Sequence, residues 1–182
     1  MTAIAGYTDG KTVFIGGDSA GTAGHYLQTR TDCKVFKSGE MIMGFTSSFR
    51  MGQILQYHLS PPKRLEGQKD YEYMVKQFIP AVKAALKEHG YERSKSGEET
   101  GGVFLVGYRG GLYCVEGDYQ VGSLHKNYHA CGCGKDLILG ALHALEDYDI
   151  PIPEQINIAL GAAAEFSSYV KAPFTILEST CK

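Results

Sequence analysis

Tryptophan is absent from these 182 residues, proline occurs only six times, and neither sign of charge dominates, with 18 lysines and arginines set against 20 aspartates and glutamates. A formal net charge of −2 offers a phosphate backbone or an anionic lipid surface nothing to grip. Nucleic-acid and membrane partners are therefore not expected. No stretch of about eighteen consecutive apolar residues occurs, as a spanning helix would require. The first residues carry neither the basic nor the apolar segment of an export signal, so the expected location is the cytoplasm. Cysteine is sparse and odd in number: Cys33, Cys114, Cys131, Cys133 and Cys181 lack a disulfide spacing and read as free thiols of a reducing compartment. Internal repeats and low-complexity segments are also missing. With 43% hydrophobic and 21% charged residues, the chain reads as one domain over residues 1–182 with an ordinary core.

What is present is a regular alternation of strand and helix signals. Thr2–Tyr7 and Thr12–Gly17 are predicted strands joined by an Asp-Gly turn at Asp9-Gly10. A Gly-rich excursion follows. Lys34–Lys37 and Met41–Thr46 then form a second hairpin around Ser38-Gly39-Glu40, and Phe49–Leu59 has helical spacing that Pro61-Pro62 stops. Tyr71–His89 keeps apolar residues at helical intervals and ends at Gly90, which makes it a long amphipathic helix and a candidate interface. Glu92–Thr100 is expected to be a loop. Val103–Tyr108, Leu112–Glu116 and Tyr119–Gly122 read as a three-strand meander, followed by helices over Leu137–Leu145 and Pro153–Ala164 and a last strand at Thr175–Glu178. Strands and helices grouped in this order predict a mixed α/β (α+β) domain with antiparallel sheets and paired helices outside them.

Thr2 carries the chemical interest. A small residue behind Met1 permits removal of that methionine, leaving a free α-amine beside the Thr2 hydroxyl. A hydroxyl is a weak nucleophile without a base, and an α-amine titrates at about 7.7–8.0, near the working pH. One residue would then provide both groups. A nearby ammonium would help keep the amine neutral, and a buried lysine needs a carboxylate partner. Asp18 and Lys34, at the ends of predicted strands, are the candidates for that pair.

The stretches "TAIAGYTDGKTVFIGGDSAGTAG", "DCKVFKSGEMIMGFTSS", "HACGCGKDLILGALHAL" and "ALGAAAEFSSYVKAPFTILE" together resemble the proteasome β-type subunits and their bacterial two-ring, ATPase-partnered relative, over essentially the whole chain. In that family an N-terminal threonine is followed after sixteen residues by an aspartate and after thirty-two by a lysine, and Thr2, Asp18 and Lys34 keep both spacings. The resemblance implies a four-layer αββα sandwich and an N-terminal nucleophile hydrolase that cleaves peptide bonds inside a homo-oligomeric ring. Its substrate would be a peptide or unfolded protein, an ATPase unfoldase a possible partner, and no cofactor is needed.

It further implies that Thr22 aligns substrate as an added strand, and that a backbone N–H in the turn Thr46-Ser47-Ser48 holds the oxyanion, Ser48 being the donor. Ser47 and Ser48 stand where the family usually has glycine. Cys133, within Gly132-Cys133-Gly134, takes the place of the family's active-site serine. The family's last polar positions fall on Ser167 and Val170, so a carboxylate there would have to come from Glu165.

Two other readings compete. The same fold could serve as a non-catalytic shell subunit, for which Thr2 is simply a strand residue, Asp18 a turn cap and Lys34 an edge lysine. Alternatively His129, Cys131 and Cys133 form an H-x-C-x-C run able to contribute metal ligands, although no second ligand pair is spaced to close a tetrahedral site.

Overall fold

The computed structural model describes residues 2–91, 93–95 and 98–181. Two antiparallel sheets face each other, each with helices on its outer face. The first contains β1 (Ala3–Thr8), β2 (Thr12–Gly17), β12 (Tyr128–Gly132) and β13 (Thr175–Thr180) in the order β12-β1-β2-β13. The second contains β5 (Val35–Ser38), β6 (Met41–Phe45), β9 (Phe104–Tyr108), β10 (Gly111–Val115) and β11 (Val121–Ser123) in the order β11-β10-β9-β6-β5. Two small hairpins, β3 (Ala20–Ala23) with β4 (Tyr26–Thr29) and β7 (Arg93–Lys95) with β8 (Glu98–Thr100), stand apart from both.

Strand periodicity explains the layering, because alternate residues of β1 belong to different cores. Ile4 packs between the sheets with Ile15, Val35, Ile42 and Leu105, whereas Ala3 and Ala5 pack outward against Ile138, Ile156 and Leu160. Those outer residues come from α4 (Lys135–Ala144) and α5 (Ile152–Phe166). The other sheet turns Met43, Phe45, Phe104 and Val106 toward α1 (Phe49–Tyr57) and α3 (Ile79–Glu88), which supply Ile54, Leu55, Val82 and Leu86. Three contiguous apolar layers thus separate four layers of backbone, giving the αββα sandwich. Gly44 makes the inter-sheet contact possible, since a Cβ there would lie 2.6 Å from Ile4 Cγ2 and 2.7 Å from Ile15 Cγ2.

Several elements depart from expectation. The long helix is α2 (Asp70–Tyr73), a π turn over Met74–Phe78, then α3. Pro80 accounts for the interruption: it has no N–H for the Lys76 carbonyl and its ring crowds that carbonyl, while the Ile79 N–H reaches back to Met74 O in the wider π pattern. The Gly-rich excursion contains the β3–β4 hairpin. Within the expected loop Glu92–Thr100, Arg93–Lys95 pairs with Glu98–Thr100, while Glu92, Ser96 and Gly97 lie outside the described residues. Three-residue strands are too short for an alternation signal. The Ser38–Glu40 turn and the meander match the sequence reading to within two residues. Among the described residues no helix is long and apolar enough to cross a membrane.

Candidate active site

Thr2 immediately precedes β1 and is only 6% exposed. Asp18 follows the last residue of β2 and Lys34 precedes the first of β5, so the two sheets present them to each other across their shared interior. Both are 2% exposed, and Lys34 Nζ is 2.7 Å from Asp18 Oδ1. The same carboxylate accepts the backbone N–H groups of Ala3 at 2.9 Å, Ala20 at 2.9 Å and Lys171 at 3.4 Å. In return, the Asp18 N–H donates to Ala3 O at 3.2 Å. Asp18 is therefore locked to the residue that follows Thr2, and its charge is compensated on both oxygens.

Burial draws the Lys34 ammonium below the ordinary lysine value, with Arg30 adding to the effect, while Asp18 and the Cys133 thiol oppose it. Phe49 offers its ring 5.6 Å from Lys34 Nζ and carries the Arg30 guanidinium 4.0 Å from its centroid. Arg30 is in turn held by Asp32 through two contacts of 2.7 and 2.6 Å.

Cys133 approaches Thr2 from the opposite strand edge. Its N–H donates to Thr2 O at 2.8 Å and its Sγ lies 3.2 Å from the same oxygen. Gly132 permits this with φ of 92°, and a Cβ on it would sit 2.1 Å from Thr2 O. Gly132→Ala should accordingly destabilise the fold by about 2–4 kcal/mol, combining left-handed strain with displacement of Thr2. A denaturant midpoint unchanged from the parent protein would show that this turn does not constrain Thr2.

The turn after β6 forms the third side. Thr46 donates both its N–H (3.0 Å) and its hydroxyl (2.8 Å) to Val103 O, and the Val103 N–H donates to Ser47 Oγ at 3.1 Å. Ser47 has φ of 65°, the conformation for which glycine would be preferred. Ser48 caps α1, its hydroxyl accepting the Arg50 N–H at 3.1 Å. The Ser48 N–H itself donates to Thr46 O at 2.7 Å, so an incoming oxyanion would have to replace that carbonyl.

Thr2, Thr22, Ser47 and Ser48 line one cavity of about 200 Å³, with Phe45, Thr46 and Phe49. Asp18, Lys34 and Cys133 do not line it; Lys34 approaches it behind Phe49, and Cys133 behind the Thr2 carbonyl. A smaller cavity of about 120 Å³, bounded by Gln28 and Arg30, shares Thr22 and Phe49 with it.

No protein-family model matches the sequence, and no relative was found among curated proteins. Solved structures do match. BPH of Thiobacillus denitrificans in complex with epoxomicin is 18% identical, with 99% of each chain covered and a TM-score of 0.82. Eukaryotic HslV from Trypanosoma brucei is 17% identical over 98% of this chain and 99% of that one, with a TM-score of 0.71. Anbu, an ancestral β-subunit from Yersinia bercovieri, is 13% identical over 98% of this chain and 81% of its own, with a TM-score of 0.68. The fold is that of the proteasome β-type subunits.

Within this proteasome-type sandwich the segment after α5 joins the site through backbone rather than side chains. Ser167 caps α5, donating its N–H to Ala163 O and accepting the Tyr169 N–H on Oγ at 3.4 Å. Val170 is buried against the position of Gly134, and Glu165 is exposed. It is the Lys171 N–H that reaches Asp18, a contact 153 residues apart in sequence with no local signal. Phe49 is a site residue that sequence reasoning missed, although an aromatic directly after Ser48 was the available clue.

The metal alternative is corrected by the course of β12. Cys131 belongs to the inter-sheet core, its thiol pushed well up by burial, whereas the left-handed turn at Gly132 diverts Cys133 toward Thr2. The H-x-C-x-C run thus does not keep one strand face. Among the described residues no group of three or more His, Cys, Asp or Glu side chains converges to hold a metal ion.

Proposed function

We propose that the chain is a single N-terminal nucleophile hydrolase domain, a threonine-type endopeptidase of the proteasome β-type family whose nucleophile is Thr2 after removal of Met1. The observation that carries this reading is the buried Lys34–Asp18 pair, anchored by the Ala3 N–H to the residue immediately after Thr2. Its ammonium would disfavour a second positive charge nearby and so keep the Thr2 amine available as a base.

In the proposed reaction the amine, through a water, takes the proton of Thr2 Oγ1 as that oxygen attacks a peptide carbonyl. Substrate lies extended along β3 at Thr22. The developing oxyanion displaces Thr46 O from the Ser48 N–H, converting an internal hydrogen bond into one that strengthens with the charge on the substrate. As the adduct collapses, the Thr2 ammonium returns its proton to the leaving peptide nitrogen, the C–N bond breaks and the amine product departs; the ester left on Thr2 is then hydrolysed by water with the same amine acting as base, which frees the acid product. Cys133 holds the Thr2 carbonyl in place during both steps.

Epoxomicin tests the proposal, because an epoxyketone needs a hydroxyl and an amine on one residue. Intact mass should show a chain without Met1 and one adduct, and peptide mapping should place it on Thr2. Retained Met1 or an unmodified processed chain overturns the reading, and an adduct on Cys133 reassigns the nucleophile. The non-catalytic shell subunit is the second reading, favoured by the engagement of the Ser48 N–H with Thr46 O.

The same resemblance supports a homo-oligomeric ring in the cytoplasm that encloses the Thr2 cavities, admits unfolded protein and accepts an ATPase unfoldase. Light scattering should return a mass several times the 19.8 kDa of one chain. A monomer at working concentration would remove the chamber while leaving the chemistry of Thr2 to be judged separately.

A further inference from the structure

Two further cavities lie at the far end of the β5–β6 hairpin from Thr2. They measure about 490 and 470 Å³ and share Gly39, Glu40 and Arg109. Their charge differs. The second has Lys37 and Arg109 opposite Glu40 and Glu178, an even balance. The first has Lys63, Arg64 and Arg109 around its lining and Glu40 as its one lining carboxylate.

Asp70, beside that first cavity, does not neutralise the excess. Its Oδ1 lies 3.3 Å from Arg64 Nε and 3.6 Å from Arg109 Nε, longer than the roughly 2.7–2.9 Å of a strong charge-assisted bond. One carboxylate oxygen therefore serves two guanidinium groups. Lys63 has no ion-pair partner among the described residues, and the terminal nitrogens of Arg109 make no hydrogen bond there.

The apolar part of the wall is held in place, with Tyr73 and Tyr108, 1% and 5% exposed, backing it from the core. Tyr73 and Tyr108 stack with ring centroids 5.0 Å apart, and Pro61-Pro62 forms the facing loop. The Tyr73 hydroxyl donates to Pro62 O at 2.7 Å, fixing a segment whose two prolines already restrict φ. A cationic rim over an ordered proline loop backed by two buried tyrosines, around a volume suited to a small molecule, can receive a ligand.

We propose that this cavity binds a small molecule with an anionic head, carboxylate or phosphate, and a flat apolar body. The head takes Lys63, the terminal nitrogens of Arg109 and the remaining Nη2 of Arg64, whose Nη1 donates to Gln68 O and whose Nε faces Asp70, and the body lies against the proline loop where it meets Tyr108. The pocket is separate from the Thr2 site. Five residues of β6 lie between the Ser38–Glu40 turn and Thr46, roughly 15 Å of strand.

Calorimetric titration of the full chain with phenyl phosphate, benzoate and inorganic phosphate tests the assignment. One aromatic anion should bind at one per chain, at least about tenfold tighter than inorganic phosphate; which of the two binds tighter identifies the head. Lys63→Gln, at an exposed loop position, should weaken that binding about fivefold, and Arg109→Asn about tenfold or more, asparagine tolerating the φ of 50° at this position. Glu40→Gln should tighten it. Absence of saturable binding, an affinity unchanged in both cation variants, or inorganic phosphate binding as tightly as either aromatic anion would overturn the proposal.

Discussion

Thr2→Ala should lower peptide hydrolysis by about 10⁴-fold or more while leaving the fold intact. The loss is large because nucleophile and base are proposed to sit on one residue, and no neighbouring group supplies the same pair. The fold survives because Thr2 holds its neighbours through its backbone: the Cys133 N–H and thiol both use the Thr2 carbonyl, which alanine retains. Alanine is also small enough for Met1 to be removed, so intact mass controls for processing. Thr2→Ser, which keeps the hydroxyl, should remain measurably active. Initial rates on fluorogenic peptides, together with the denaturant midpoint, separate the two effects. Near-normal hydrolysis by a processed Thr2→Ala protein would place the nucleophile elsewhere.

Replacing Lys34 should damage both stability and catalysis, and the two losses have different origins. Lys34→Ala leaves the Asp18 carboxylate buried without its counter-charge, a change that costs about 3–5 kcal/mol when a buried pair is broken. The remaining N–H donors from Ala3, Ala20 and Lys171 argue for the lower end of that range. Pairing the change with Asp18→Asn should recover part of the stability, since no buried charge then remains, but none of the activity. For catalysis the pH profile is diagnostic. The rate should rise with pH as the Thr2 amine loses its proton, then fall as Lys34 loses its own. Because burial lowers the Lys34 value, that fall should begin below the ordinary lysine value of 10.5. Residual activity in Lys34→Ala should show the first limb shifted to higher pH, as the amine is freed of the repulsion. A variant with normal rate and unshifted limbs would make Lys34 a structural residue only.

Those expectations rest on a trio legible in the amino-acid sequence, through the spacing of Thr2, Asp18 and Lys34. The positions of these residues are set locally, each at the end of a strand whose short apolar run and flanking turns are written in adjacent residues. The same holds for the Asp-Gly turn, the β9–β11 meander and the paired helices. The β3–β4 hairpin was not legible for the complementary reason: Tyr26–Thr29 is exposed throughout, so neither face leaves an apolar pattern.

By itself, then, the sequence determined the order of elements, because periodicity records which residues of a strand or helix must leave water, and three candidate catalytic positions, through the chemistry of an N-terminal threonine and the spacing that the family resemblance implies. Tertiary structure alone decided how those positions are completed. The Lys171 N–H on Asp18, the Cys133 N–H on Thr2 O and the Phe49 ring near Lys34 join segments far apart along the chain. The engagement of the Ser48 N–H spans only two residues, yet it depends on a φ of 65° at Ser47, a residue also tied to Val103 across the sheet. Backbone donors and left-handed turns of this kind carry no residue-type signature, since every amino acid but proline offers the same N–H; where it points is settled only when the sheets close on one another.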